Sequence, residues 1–275
     1  MEAQKSDTHS GKKLIVLGST AIAVIFIIYG RYQESTTFTP DAVDSIQRIA
    51  YGFYIILLVA FGAISYGIYL YHRNKVEKKE KDLITIIAIA TWNRKSKKIF
   101  VLAFVGYGIF FSLVSGTLVY QPEVNFAIHY GAKIPSGFVS PCCDDPGYMP
   151  KIIIYLTEHV GLQIIPINFV LQVIVSYLVG LNTAIAASAY TISKKGRGMS
   201  TIGAMTGLFI ACPTCAGTFL SIFIGTASGI ALSIALAQLQ TLFIAISIPV
   251  LLVTPFLMAR KLRNSDGSCN TDPTK

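Results

Sequence analysis

Charge is what this chain lacks most. Of its 275 residues only 13% are Asp, Glu, Lys or Arg, against the ~25% typical of a soluble domain. That deficit excludes a surface wetted on all sides. Hydrophobic residues make up 53% and the mean hydropathy is +0.58, so lipid must cover much of the outside. Histidine is also scarce, with four copies. His72 and His159 stand at the edges of apolar runs, and His9 and His129 in flanking segments. Paired axial His ligands for a b-type haem are therefore excluded. The apolar runs hold no Asp, Glu, Lys or Arg, which removes the intramembrane acid or base that marks a proton relay or ion-coupled pump. A phosphate-binding glycine loop with its lysine is missing, as is Gly-x-Ser-x-Gly, so ATP-driven work within this chain is not expected. No internal repeat is evident, and with it goes the inverted-repeat signature of many secondary transporters.

What is present is a set of long apolar runs. About 20 such residues cross the ~30 Å hydrocarbon core. Six runs qualify: 14–29, 49–71, 99–120, 164–192, 201–224 and 230–258. The expected fold is all-α, a polytopic bundle of six transmembrane helices forming a single integral membrane domain over 1–275. Tyr29, Tyr51, Tyr71, Tyr120 and Tyr190 lie near the run ends, where amphipathic rings favour the headgroup layer.

The net charge of +9 comes from 23 Lys and Arg against 14 Asp and Glu, and its distribution sets an orientation. With both termini cytoplasmic, all the Lys and Arg except Arg31, Arg48, Lys133 and Lys151 fall on the inner side. They occupy the N-terminus, the basic loop 73–98, the 194–197 segment and the tail 259–275. The positive-inside rule favours this topology, in the cell membrane, and it explains the basic balance without nucleic acid. The Lys75–Lys81 cluster is a solvated flank or, as an alternative, a contact for anionic lipid. The first run has a basic flank but no small-x-small cleavage site after Tyr29, so it reads as an uncleaved anchor. Leu83 to Ala90 is apolar but too short to span, and is expected on the membrane surface.

One long outer loop, 121–163, separates the third and fourth runs. Pro122, Pro135, Pro141, Pro146 and Pro150 predict irregular chain there, with Lys151 to Gln163 as a short interfacial helix. Small residues at four-residue spacing (Gly108, Ser112 and Gly116; Ser176 and Gly180; Gly203 and Gly207) predict close helix packing. Gly225 to Gly229 reads as a tight turn into the last run. Asn168, Gln172, Asn182, Thr214, Gln238 and Gln240 are expected to join helices by hydrogen bonds.

The chemistry points to five cysteines. Cys212-Pro213-Thr214-Cys215 lies inside the fifth run, Cys212 roughly 17 Å from Thr201 and Cys215 about 14 Å from Ile224 at ~1.5 Å per residue. That is near the bilayer middle. An i, i+3 pair shares one helical face, and Pro213 frees the carbonyl one turn earlier. Three readings stand: packing as small hydrophobes, thiol–disulfide exchange, or binding of a soft metal such as Cu(I). The second pair, Cys142-Cys143, lies in the outer loop beside Asp144 and Asp145. His129 and Met149 share that loop, as does His159, and the donor set suits copper or zinc. The competing reading is a structural disulfide or an Asp-Asp-Pro-Gly turn. Cys269 sits in the polar tail and has no expected role. Two pairs at two depths suggest a relay of electrons or of metal.

The Pro-containing pair resembles the motif of soft-metal pumping ATPases, but those carry Cys-Pro-Cys and large ATP domains that this chain lacks. The outer and buried cysteines together are similar to the arrangement in membrane thiol oxidoreductases. The likeness covers only Cys212 to Cys215 and the outer pair, and no residue role is carried over from it. The expected functions are thiol redox or soft-metal handling, with other membrane subunits or a thiol or metal carrier as partners. The alternatives are a non-catalytic accessory subunit and a small-solute transporter.

Overall fold

The computed structural model describes residues 2–34, 40–78, 83–141, 147–193, 248–249, 251–257 and 260. The chain divides into two compact units, Met1–Lys78 with Ser115–Leu171, and Lys79–Val114 with Gln172–Lys275. Most of the described residues are helical. Four helices are long and apolar enough to cross a membrane, at Ser10–Arg31, Ser45–Glu77, Arg94–Leu113 and Pro166–Ser188. The predicted runs 201–224 and 230–258 lie outside the described residues, apart from helical residues at 248–249 and 251–257.

The first unit is built on an antiparallel hairpin of α1 (Glu2–Glu34) and α2 (Pro40–Lys78). At ~1.5 Å per residue these helices are about 50 and 58 Å long, well beyond the hydrocarbon thickness. Glycine sets how closely they approach. A Cβ on Gly67 would meet the Gly11 carbonyl oxygen at 2.9 Å, and one on Gly18 would meet the Ala60 carbonyl oxygen at 2.9 Å. The outward faces are apolar and exposed, with Leu17, Ile27, Ile55, Leu58 and Val59 among them. A continuous exposed apolar face of this extent needs lipid to cover it.

Against the hairpin lies a four-stranded antiparallel sheet made of β1 (Leu118–Tyr120), β2 (Ser136–Ser140), β3 (Lys151–Tyr155) and β4 (Val160–Ile164), in the order β1-β4-β3-β2. This corrects one expectation: Lys151–Gln163 is the β3–β4 hairpin, where an interfacial helix was predicted. The outer loop combines three strand segments and a short helix with irregular connections. The physical reason lies in side-chain shape: Ile152, Ile153, Ile154 and Val160 are β-branched and suit a pleated surface. The prolines bracket the strands and do not interrupt them. The all-α expectation therefore holds for most of the described residues and fails for this insert. The third run also stops short of its predicted end. α4 closes at Val114, Gly116 turns the chain with φ +71°, and Leu118–Tyr120 is a strand.

Strand register assigns the two faces of the sheet. Val139 pairs with Ile152 and Ile152 with Ile164, so these share one face. Val139 is buried with Met149 against Ile25, Tyr29, Ala50, Phe53 and Leu57 of the hairpin, and Ile152 packs on this cluster. The opposite face carries Tyr155, and the short helix α5 (Phe126–Tyr130) packs there through Phe126, whose ring centroid is 5.2 Å from that of Tyr155. Asn125 caps α5, its side-chain oxygen accepting from the backbone N–H of Ala127 and Ile128.

The second unit packs α3 (Leu83–Trp92), α4 (Arg94–Val114) and the greater part of α6 (Pro166–Ser193). Ser96 and Ser188 bond side chain to side chain at 2.9 Å, and Gly108 lies beside Ser176 and Gln172, which makes α4 and α6 antiparallel. The small-residue expectation holds at Gly108 and Ser176, and at Gly180, where a Cβ would meet Phe100 at 3.1 Å. Gly203, Gly207 and the Gly225–Gly229 turn lie outside the described residues. In the Leu83–Ala90 stretch, Ile87 clusters with Leu181 and Ile185 of α6.

Candidate functional site

Cys142, Cys143, Asp144, Asp145, Cys212, Cys215 and Cys269 lie outside the described residues. His129 and Met149 are described, and the sheet keeps them apart. Met149 is 5% exposed, in the core between sheet and hairpin. It precedes β3, at the end of the sheet from which α6 emerges. His129 is exposed on α5, over the opposite face and at the opposite end of the strands. The five residues of β3 alone separate the two ends by roughly 15 Å. His129 is edge-on to Tyr130, with ring centroids 4.9 Å apart. Among the described residues no group of three or more His, Cys, Asp or Glu converges as a metal cluster would require.

His159, the other imidazole of the loop, has a structural task. Its Nδ1 lies 3.2 Å from the Gln121 carbonyl oxygen and 3.0 Å from that of Val124. The tautomer with a proton on Nδ1 donates to them and ties the β3–β4 turn to the chain entering α5. Beside it, the Asn125 amide donates to Glu158 at 2.8 Å.

The two residues that flank Cys142–Pro146 are the informative ones. Tyr29, near the end of α1, is 3% exposed, and its hydroxyl donates to the carbonyl of Pro141. Gly147 stands at φ +90°, a left-handed conformation that favours glycine. Its carbonyl accepts from the Ile167 N–H at 3.1 Å, and its Cα faces Ile167 and Phe26. Three residues on, the Tyr54 hydroxyl donates to the carbonyls of Pro150 and, at 3.1 Å, Ile164. Phe26, Tyr29 and Tyr54 surround Phe53 edge-on, with centroids 5.2 to 5.6 Å away, so the anchoring hydroxyls stand on a rigid base. Sequence reasoning placed Tyr29 in the headgroup layer and passed over Tyr54. The available signal was a tyrosine inside an apolar run, whose hydroxyl needs a partner once buried.

Two amides of the α6 span, Gln172 and Asn182, act as expected. Gln172 donates to the Gly108 carbonyl at 2.8 Å and the Ser112 hydroxyl at 2.6 Å. Asn182 donates to the carbonyls of Leu178 and Leu251. Gln172 and Asn182 thereby tie α6 to α4 and to the 251–257 stretch.

No protein-family model, curated protein or solved structure matches the chain.

Proposed function

We propose that this is a multi-pass protein of the cell membrane, with six spans and both termini cytoplasmic, that exchanges thiol–disulfide redox equivalents through Cys212/Cys215 and Cys142/Cys143. The exchange is a balanced two-electron step. A thiolate of the dithiol attacks the disulfide, a mixed disulfide forms, and the second thiol resolves it. One pair leaves oxidised and the other as a dithiol, with two protons transferred. The carrier on the outer side is a thiol–disulfide protein.

One observation carries this reading. Pro141 and Gly147, on either side of the Cys-Cys segment, are anchored to the end of α1 and the start of α6. Such anchoring suits a fixed reactive group better than a passive surface turn. The separation of His129 from Met149 counts against a mixed-donor metal site and leaves a soft-metal function resting on the cysteines alone. A second reading, an accessory subunit, is favoured by the exposed apolar side chains of Tyr120, Ile128, Tyr130 and Leu156 at the end of the sheet away from Gly147.

Mass-spectrometric thiol trapping, with metal analysis, on purified wild type and on the Cys212→Ser/Cys215→Ser variant tests the proposal. The expected result is a disulfide that forms and breaks reversibly without metal. Near-stoichiometric metal that the double variant loses would establish a soft-metal site instead. Free, unreactive thiols and no metal would leave the accessory role.

A further inference from the structure

The foot of the outer sheet lies deeper than the outer ends of α1 and α2. Gly67 stands against Gly11, Leu14 and Ile15, and Gly18 against Ala60 and Ile64. Carried outward with the same rise on both helices, this register sets Tyr29 level with Tyr51, the outer tyrosines of the two apolar runs. Strand β4 leads into α6 inside that line. Gly147 lies against Ile167 and Phe26, and the Phe169 ring is 5.7 Å from that of Phe61. Phe26 is three residues inside Tyr29, and Phe61 ten residues inside Tyr51. Pro166, three residues before Phe169, therefore starts α6 roughly 5–10 Å inside the tyrosine line. On the outward side of the hairpin, the same heights carry Ile27, Ile55 and Leu58, which are 65%, 62% and 60% exposed and need lipid. The foot of the sheet thus stands at hydrocarbon depth.

Non-helical backbone is tolerated at that depth only where protein buries it or water reaches it. The two faces of the sheet differ in this respect. Toward the hairpin it presents Val139, Ile152 and Ile164. The opposite face carries Ser140 paired with Lys151, and Ile153 paired with Gln163. Ser140, Lys151 and Gln163 are half-buried, so protein does not enclose them. β3 runs outward from Lys151, which places this lysine at the deep end of its strand. A charged side chain at hydrocarbon depth faces a bundle interior or a water-filled cavity.

We propose that an aqueous vestibule enters the outer half of the membrane over this face of the sheet, lined by Ser140, Lys151 and Gln163. It admits water and small polar solutes to the depth of Pro141 and Gly147, and it excludes acyl chains. The inference rests on the membrane assignment and not on the cysteine chemistry, so either can fail alone.

The test uses the full chain in phosphatidylcholine vesicles. A nitroxide side chain is encoded during translation, which leaves the native cysteines untouched, at Ile55 and separately at Gln163. Power-saturation electron paramagnetic resonance then reads collisions with oxygen, which concentrates in lipid, and with a neutral nickel chelate, which stays in water. At Ile55, oxygen collisions should dominate. At Gln163 the nickel-to-oxygen ratio should be several-fold higher, although both sites lie inside the tyrosine line. Three results would overturn the proposal. Nickel at both sites would put the outer hairpin in water. Oxygen at Gln163 would mean that lipid covers this face, and neither reagent there would mean that protein does. If the label at Gln163 disturbs the fold by circular dichroism, Lys151 of the unaltered protein decides. A membrane-impermeant amine-acylating ester added outside whole cells should modify Lys151 together with the exposed Lys133. Modification of Lys133 alone would overturn the vestibule.

Discussion

Replacing Gly67 by Ala puts a close contact between α1 and α2 to a quantitative test. The new methyl would stand 2.9 Å from the Gly11 carbonyl oxygen, 3.0 Å from Ile15 Cγ1 and 3.1 Å from Leu14 Cβ. The oxygen is backbone and the Leu14 Cβ cannot rotate away, so α1 and α2 must part. Overpacking of this kind costs about 1–3 kcal/mol. The better helix propensity of Ala returns up to ~1 kcal/mol, leaving a net loss of roughly 1–2 kcal/mol. Gly62, five residues earlier on the same helix, has nothing within 4 Å of a Cβ. Gly62→Ala keeps the propensity gain and meets no clash, so it should stabilise by up to ~1 kcal/mol. The same chemical change thus carries opposite signs at two neighbouring sites. Reversible denaturant titration in mild detergent, followed by circular dichroism, reads the difference. Equal shifts for the two variants, or a Gly67→Ala protein more stable than wild type, would refute the close approach of α1 to α2.

Two further outcomes follow from hydrogen bonds that cross between elements. Tyr54→Phe removes the donor to Pro150 and Ile164, and should cost about 1–3 kcal/mol because both carbonyls lose it. Amide exchange in β3 should speed up while exchange in α4 stays unchanged; unaltered protection of β3 would show that the hydroxyl bears no load. Gln172→Leu should cost about 0.6–2 kcal/mol, toward the low end, since Ser112 keeps its own bond to Gly108 at 2.9 Å. A double-mutant cycle with Ser112→Ala checks this, and strict additivity would mean that the two side chains do not interact.

The sequence was legible where physics works on long segments. Four of the predicted runs are helices because some 20 apolar residues without charge have few other stable forms in lipid. The roles of Gln172 and Asn182 were legible too, since an amide in a span must find partners. The sheet was not. Five prolines in 121–163 read as irregular chain, yet strand pairing is non-local, and the pairing of β1 with β4 across some 40 residues leaves no mark in a local window. The glycines of the hairpin were missed for a related reason. Gly11 and Gly18 are seven apart, and their significance appears only beside Gly67 and Ala60 on the other helix. Of the candidate site, only His129 and Met149 fall among the described residues. Whether His129 and Met149 could meet depended on which face and end of a sheet each occupied, and no sheet had been foreseen.

The hairpin-and-sheet arrangement has a consequence for biogenesis. The surface on which the sheet docks, with Phe26, Tyr29, Phe53 and Tyr54, is complete once residue 78 has been synthesised. The strands that settle on it follow only after α4. During synthesis the platform is therefore in place before its cargo emerges, and the segment 115–165 must reach one side of the membrane whole before β1 can find β4. A variant that delays insertion of α4 should leave a folded hairpin with a bare aromatic face, which is the surface that quality-control proteases and chaperones would meet first.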